Sequence, residues 1–292
     1  MKTLKWIFVL TIACSSVTEQ KKIDVQGHRG ARGLMPENSI EGFIEAIDLG
    51  VSTLELDLVV SKDTQLIVSH EHFLSPEFCA DLDGNRIKED TVFNLYQMTA
   101  NEIKQFDCGS LKHDRFPDQK KINTYKPTLH EVFDKVESYL ASKNLPPVNY
   151  NIELKTTPET DSIFHPTPKA FSDLVYEFIS TRNLWNRVNI QSFDFRTLEY
   201  FNEVYPEVRL AVLIEYEQDW KVNIEKLGFS PEIYSCYFEL LSREQIKNIQ
   251  ESGMQVIPWT VNEVSDIKKM IDWDVDGIIS DYPNRLIETI TK

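Results

Sequence analysis

Positive charge is scarce in this chain: 31 Lys and Arg stand against 46 Asp and Glu among 292 residues, a formal net charge of −15. Sequence-independent affinity for a nucleic-acid backbone needs clustered cations, so that class of partner is disfavoured, and any anionic ligand must be held locally by a metal ion or a few cations. Long apolar runs are lacking as well. The N-terminal run from Trp6 to Ala13 is too short to span a bilayer. No glycine-rich dinucleotide turn follows a strand pattern, which argues against a doubly wound nucleotide-binding sheet. Cysteine is limited to four residues, and nothing in the composition signals disorder; with 41% hydrophobic residues the chain can bury one large core.

What is present begins with an address. Lys2 and Lys5 precede the short apolar run, and Ala13-Cys14-Ser15-Ser16 supplies small residues for cleavage, so residues 1–22 read as an export signal with a short linker. Thr11-Ile12-Ala13-Cys14 resembles a bacterial lipobox, with Thr where Leu is usual. Cys14 is then the candidate lipidation site, a simply cleaved signal is the alternative, and acyl chains would tether an exported protein, periplasmic or anchored to the outer membrane, without a transmembrane helix. Of the remaining cysteines, Cys79 and Cys108 share one irregular stretch and could pair in an oxidising compartment, leaving Cys236 alone on a buried strand; three unpaired, buried thiols are the alternative.

Past the signal, strand and helix patterns alternate to the end. Strand patterns cover 23–27, 53–60, 65–70, 148–155, 187–192, 208–214, 233–237, 255–260 and 276–280. A helix starts at Asn38-Ser39, with Glu41 as capping-box partner of Asn38 and Ile40, Phe43, Ile44 and Ile47 as its apolar stripe, and ends at Gly50. Further helical patterns cover 129–140, 170–181, 241–251 and 264–271. About eight barrel-type strands over some 270 residues predict an α/β fold of the (β/α)8 TIM-barrel type. Residues 71–126 lack periodicity and are rich in turn residues, so they read as a small insertion subdomain near the barrel mouth.

The chemistry lies at strand ends. In Thr53-Leu54-Glu55-Leu56-Asp57-Leu58 the alternation sends the leucines under helices and Glu55 and Asp57 into the barrel; Asn151-Ile152-Glu153-Leu154-Lys155 repeats the device. Three inward carboxylates are costly to bury without a cation and form a hard oxygen site suited to Ca²⁺, favoured for an exported protein, or Mg²⁺. His28 and His70 end strands and can serve as general acid and base, with Arg29 beside the first. Solvated ion pairs are the alternative for the carboxylates. Structural roles suit His72, His113, His130 and His165, and a substrate contact is the alternative for His72. Two acids alone would also suit a glycoside hydrolase, but the imidazole pair and adjacent cation favour phosphate chemistry.

In order along the chain, His28-Arg29-Gly30, Pro36-Glu37-Asn38-Ser39, Glu55-Leu56-Asp57, Val68-Ser69-His70, Pro127-Thr128-Leu129, Ile152-Glu153-Leu154-Lys155, Gln191-Ser192-Phe193, Trp259-Thr260-Val261-Asn262 and Asp276-Gly277-Ile278 resemble the motif set of the glycerophosphodiester phosphodiesterases. The resemblance implies a metal-dependent hydrolase releasing glycerol 3-phosphate and an alcohol from a small glycerophosphodiester. It assigns Glu55, Asp57 and Glu153 to the cation, His28 and His70 to proton transfer, Arg29 and Lys155 to phosphate oxygens, and Trp259 to the glycerol wall. The reaction implied passes through a cyclic phosphate. Related barrel enzymes acting on lysophospholipids, inositol lipids or teichoic-type polymers, and a non-catalytic polyol-phosphate-binding lipoprotein, are the alternatives.

Overall fold

A computed structural model describes residues 22–216 and 219–291. The export signal and Cys14 lie outside the described residues. Among the described residues nine strands are present: β1 Asp24–Gly27, β2 Thr53–Val60, β3 Leu66–Val68, β4 Asn149–Leu154, β5 Val188–Ser192, β6 Arg209–Ile214, β7 Ile233–Cys236, β8 Gln255–Val256 and β9 Gly277–Ser280. Eight of them run parallel in the order β8-β7-β6-β5-β4-β2-β1-β9, and β3 folds back antiparallel on the extension of β2. The barrel is closed between β8 and β9 by backbone bonds from Asp276 N to Val256 O (2.9 Å), Ile279 N to Pro258 O (3.0 Å) and Val261 N to Ile279 O (3.0 Å). β8 is shorter than the pattern over 255–260 suggested, because Pro258 has no N–H to offer a ladder.

The helices α1 Ile40–Leu49, α3 Leu129–Lys143, α4 Pro168–Arg182, α5 Phe195–Val204, α6 Trp220–Leu227, α7 Arg243–Glu251, α8 Val264–Asp272 and α9 Pro283–Ile290 follow strands and pack outside the barrel; the short α2 Ala100–Ile103 lies between β3 and α3. None of the described helices is long and apolar enough to cross a membrane. On β2, Leu54, Leu56 and Leu58 are fully buried against this helical layer, among Phe43, Val132, Phe133 and Phe171. Each such leucine contributes roughly 2–3 kcal/mol on leaving water.

The helix after His28 starts one residue later than its sequence signal. Ser39, not Asn38, is the N-cap, accepting from Gly42 N at 3.0 Å. Glu41 makes no capping box; its Oε2 accepts from Thr124 Oγ1 at 2.9 Å instead. Asn38 sits at φ +53°, a left-handed conformation that Asn tolerates, and this turns its amide inward.

The barrel interior is divided in two. On the β6 to β9 side Ala211, Ile233, Ile257 and Ile279 form an apolar plug. On the β1 to β5 side the filling is polar: Asn151 Nδ2 donates to Gln26 Oε1 (2.8 Å) and Gln191 Oε1 (3.0 Å), and Asn189 Nδ2 donates to Asn151 Oδ1 (2.5 Å). Such amides are tolerated inside because they satisfy one another.

Between β3 and α3 the chain builds a second, smaller core from Leu74, Phe78, Ile87, Leu95, Ile103 and Phe106, which continues onto Val59 of β2 and Ile67 of β3. Cys79 and Cys108 are bonded within it, while Cys236 is a free, buried thiol on β7.

Candidate active site

Strand register assembles the acids. β2 and β4 pair so that Asp57 lies opposite Glu153, and Glu55 points to the same face two residues earlier. Ligand oxygens of Glu55, Asp57 and Glu153 lie within 4.8 Å of one another, and all three residues are buried. Burial first, then the neighbouring Asp57 charge, raises the Glu55 carboxyl well above the ordinary value; burial and Asp57 likewise raise Glu153, against the pull of Lys155. For Asp57 burial is outweighed by Arg29, His70, Lys155 and the Asn38 amide, which hold it below the usual carboxylate range. Three crowded carboxylates whose protein cations neutralise only part of their charge suit a divalent ion. Asp57 Oδ1 adds a direct sign, being buried with no hydrogen-bond partner and 3.8 Å from Lys155 Nζ.

Around this cluster each carboxylate is braced. Glu55 Oε2 accepts from Arg29 N (2.8 Å) and Oε1 from Gln191 Nε2 (2.9 Å). Asp57 Oδ2 accepts from Asn38 Nδ2 at 2.8 Å and lies 3.2 Å from Arg29 Nε. Lys155 Nζ meets Glu153 Oε1 at 2.6 Å, and this acid with Asp57 raises the ammonium's pKa despite burial. Arg29 Nη1 donates to Glu37 Oε1 (3.0 Å), whose other oxygen lies 2.6 Å from Arg32 Nε. Asn38 thus braces Asp57 rather than capping the helix.

The two histidines are each held by a carboxylate. His28 Nδ1 meets Asp281 Oδ1 at 2.6 Å, and Asp281 Oδ2 accepts from Asn262 Nδ2 at 2.8 Å. Asn262 Oδ1 in turn accepts from Asp281 N (2.9 Å) and Ser280 Oγ (3.2 Å). Burial lowers the His28 pKa from its ordinary value, although Asp281 pulls the other way, and this favours the neutral ring. An ionised Asp281 oxygen only accepts, so the proton sits on Nδ1 and leaves Nε2 with a lone pair, 4.0 Å from Glu55. His70 Nδ1 pairs with Glu71 Oε1 at 2.9 Å.

A cavity of about 700 Å³ opens above these groups, lined by His28, Arg29, Glu55, His70, Glu153 and Lys155 on its floor and by Phe193, Tyr216 and Trp259 on one wall. It lies at the C-terminal ends of the strands, where barrels of this type carry their chemistry. Of the site residues singled out in the described sequence, His28, Arg29, Glu55, His70, Glu153, Lys155 and Trp259 line one cavity, and Asp57 lies buried beneath it in contact with Glu55 and Glu153. His72 does not line it: burial lowers its pKa to about 4, and the neutral ring donates from Nε2 to Lys155 O at 2.9 Å, fixing the lysine's backbone. His165 is fully buried, bonded to Thr157 N and Pro166 O. Local pattern gave no hint of Asp281, Asn262, Glu37 or Gln191 as partners; Asp281 lies 253 residues from His28 and meets it only through barrel closure.

Comparison with known proteins agrees with this geometry. Residues 28–285 match the model of the glycerophosphoryl diester phosphodiesterase family. A glycerophosphodiester phosphodiesterase of Caldanaerobacter subterraneus is 27% identical over 272 residues, covering 92% of this chain and 98% of the relative; one of Bacillus subtilis is 27% identical over 269 residues, covering 88% and 83%. Among solved structures, a family candidate from Silicibacter pomeroyi superposes with TM-score 0.83 at 28% identity, covering 93% of this chain and 94% of its own. An Oleispira antarctica phosphodiesterase, solved with its product sn-glycerol-3-phosphate, shares the fold with TM-score 0.72 at 22% identity, covering 92% and 97%. The chain belongs to the glycerophosphoryl diester phosphodiesterase family and is a phosphoric diester hydrolase with a TIM-barrel fold.

Proposed function

We propose that the chain hydrolyses glycerophosphodiesters to glycerol 3-phosphate and an alcohol with a divalent cation held by Glu55, Asp57 and Glu153, and with His28 and His70 as the proton-transfer pair. The observation that carries this is the convergence of the three crowded carboxylates, two of which line the cavity floor, with two carboxylate-paired histidines on that same floor. The cation, Ca²⁺ before Mg²⁺ for an all-carboxylate set, would supply charge stabilisation to the phosphoryl oxygens.

The residues do the rest. Arg29 and Lys155 hold phosphate oxygens, and the Trp259 wall seats the glycerol. His28 Nε2, neutral with its lone pair free, takes the proton of the glycerol hydroxyl next to the ester. That oxygen forms a bond to phosphorus as the bond to the leaving alcohol breaks, and His70 protonates the departing oxygen. Water then opens the resulting cyclic phosphate: His70, now neutral, takes a proton from the water, and His28 returns its proton to the glycerol oxygen. Both histidines end as they began.

His28→Ala and His70→Ala should each lower kcat by about 10²–10⁴, the usual range for losing a positioned acid or base, in a coupled assay of glycerol 3-phosphate release. Full activity in both variants refutes the assignment. A lysophospholipid is the second reading, favoured by the exposed Phe193 and Tyr216 at the mouth. Lipidation of Cys14 is proposed alongside, and mass spectrometry showing an unmodified Cys14 on the mature chain would refute it.

A further inference from the structure

The cavity is electrically lopsided. On the side of β1, Arg32 and Arg115 both line it, and their guanidinium carbons lie 4.6 and 5.6 Å from the centroid of the same ring, buried Phe116. Their spacing is fixed by a backbone tie: Gln119 Nε2 donates to Arg32 O and to Met35 O, each at 2.8 Å, docking the segment that carries Arg115 onto the loop after β1. Arg32 shares the single Glu37 carboxylate with Arg29. Arg115 is exposed and has no ion pair among the described residues. The far wall is different in kind, made of Phe193, Leu213, Tyr216 and Trp259, with Glu215 as its charged member.

A diester has two arms. With phosphate on the floor and glycerol against Trp259, as proposed above, the alcohol arm is left on the arginine side. From this we infer that Arg32 and Arg115 form a headgroup subsite selecting glycerophosphodiesters whose alcohol carries its own anion, a carboxylate or a phosphomonoester, over those with a cationic alcohol. Arg115 has no ion pair among the described residues although the chain carries a net charge of −15, which leaves its charge for a ligand, and Glu215 on the opposite wall repels an anionic arm from the glycerol side.

The test rests on two matched substrate pairs with the metal-loaded full chain. Glycerophosphoserine differs from glycerophosphoethanolamine by one carboxylate, and glycerophosphoinositol 4-phosphate differs from glycerophosphoinositol by one phosphomonoester. In each pair the anionic member should have the higher kcat/KM, by about two- to fivefold for one partly exposed charge pair. That ratio should fall to near one in Arg115→Met and invert in Arg115→Glu; a preference confined to one pair identifies which anion the subsite takes. A ratio unchanged in both variants, or an equal loss on both members of a pair, overturns the subsite, the latter because Arg115 would then act only on the shared phosphate. Failure of the wild-type chain to cleave any of the four would instead overturn the proposed function beneath it.

Discussion

Asp281→Asn is the most informative single change, because it alters which nitrogen of His28 carries the proton while keeping the side chain's shape. In the native site Asn262 Nδ2 donates to Asp281 Oδ2 at 2.8 Å, so the atom in that position must remain an acceptor. The oxygen of the introduced amide therefore takes the Oδ2 place, and its NH₂ falls where Oδ1 now meets His28 Nδ1 at 2.6 Å. An NH₂ there can only donate, forcing Nδ1 to accept and moving the ring proton to Nε2, where the lone pair is needed. Loss of one charge-assisted bond alone is about 1.5–3 kcal/mol, or roughly 10- to 100-fold, and blocking the base adds to this, so kcat should fall about 10²–10⁴, as tautomer inversion does in hydrolytic triads. Asp281→Ala loses the bond without imposing the wrong tautomer, so it should retain more activity than Asp281→Asn. The assay is glycerol 3-phosphate release across pH. The acid limb of wild-type kcat/KM should lie below the ordinary imidazole range, following His28's depressed pKa, since the base is active when unprotonated. An Asp281→Asn enzyme within about threefold of wild-type kcat, with the same acid limb, would refute the role given to this pair.

Other outcomes follow from the same site. Glu55 and Glu153 have carboxyl pKa values raised in the metal-free fold, so their contribution to stability is present at acid pH and lost as the pH rises through those raised values. Ca²⁺ should therefore raise Tm more at pH 8 than at pH 5, with about 2.7 kcal/mol of stabilisation at 100 times Kd; an equal shift at both pH values contradicts the cluster as ligand. Gly30→Ala puts a Cβ 2.7 Å from Gly42 C at φ +88°, a cost of about 2–3 kcal/mol. Calorimetry should show Tm lower by roughly 5–10 °C, and an unchanged Tm would mean the loop after His28 is free to move. The Cys79–Cys108 bond closes 29 residues of chain, worth about 3.5 kcal/mol of loop entropy; Cys79→Ser with Cys108→Ser should make the insertion, before the barrel, sensitive to protease.

How much of this was legible beforehand depended on whether the information was local. The inward pair Glu55 and Asp57 was readable because strand side chains alternate, and Glu153 because β4 repeats the device; that Asp57 sits opposite Glu153 required the register. The start of α1 was misplaced because Asn38 and Ser39 are both good caps, and only the backbone at φ +53° decides between them. β8 ended early where Pro258 removed a donor. Asp281 could not be read as the partner of His28, since it joins the site by closure of a barrel whose first and last strands are adjacent only in space. The amide ladder of Gln26, Asn151, Asn189 and Gln191 was hidden for the same reason, as each amide finds its partner on another strand.

The most direct test of the central claim is glycerol 3-phosphate release from glycerophosphoethanolamine by the purified chain, measured before chelation, after it, and after Ca²⁺ or Mg²⁺ is restored. Release that is lost on chelation and recovered with the divalent ion is the predicted result; no release at all, or release undiminished in the chelated enzyme, contradicts it.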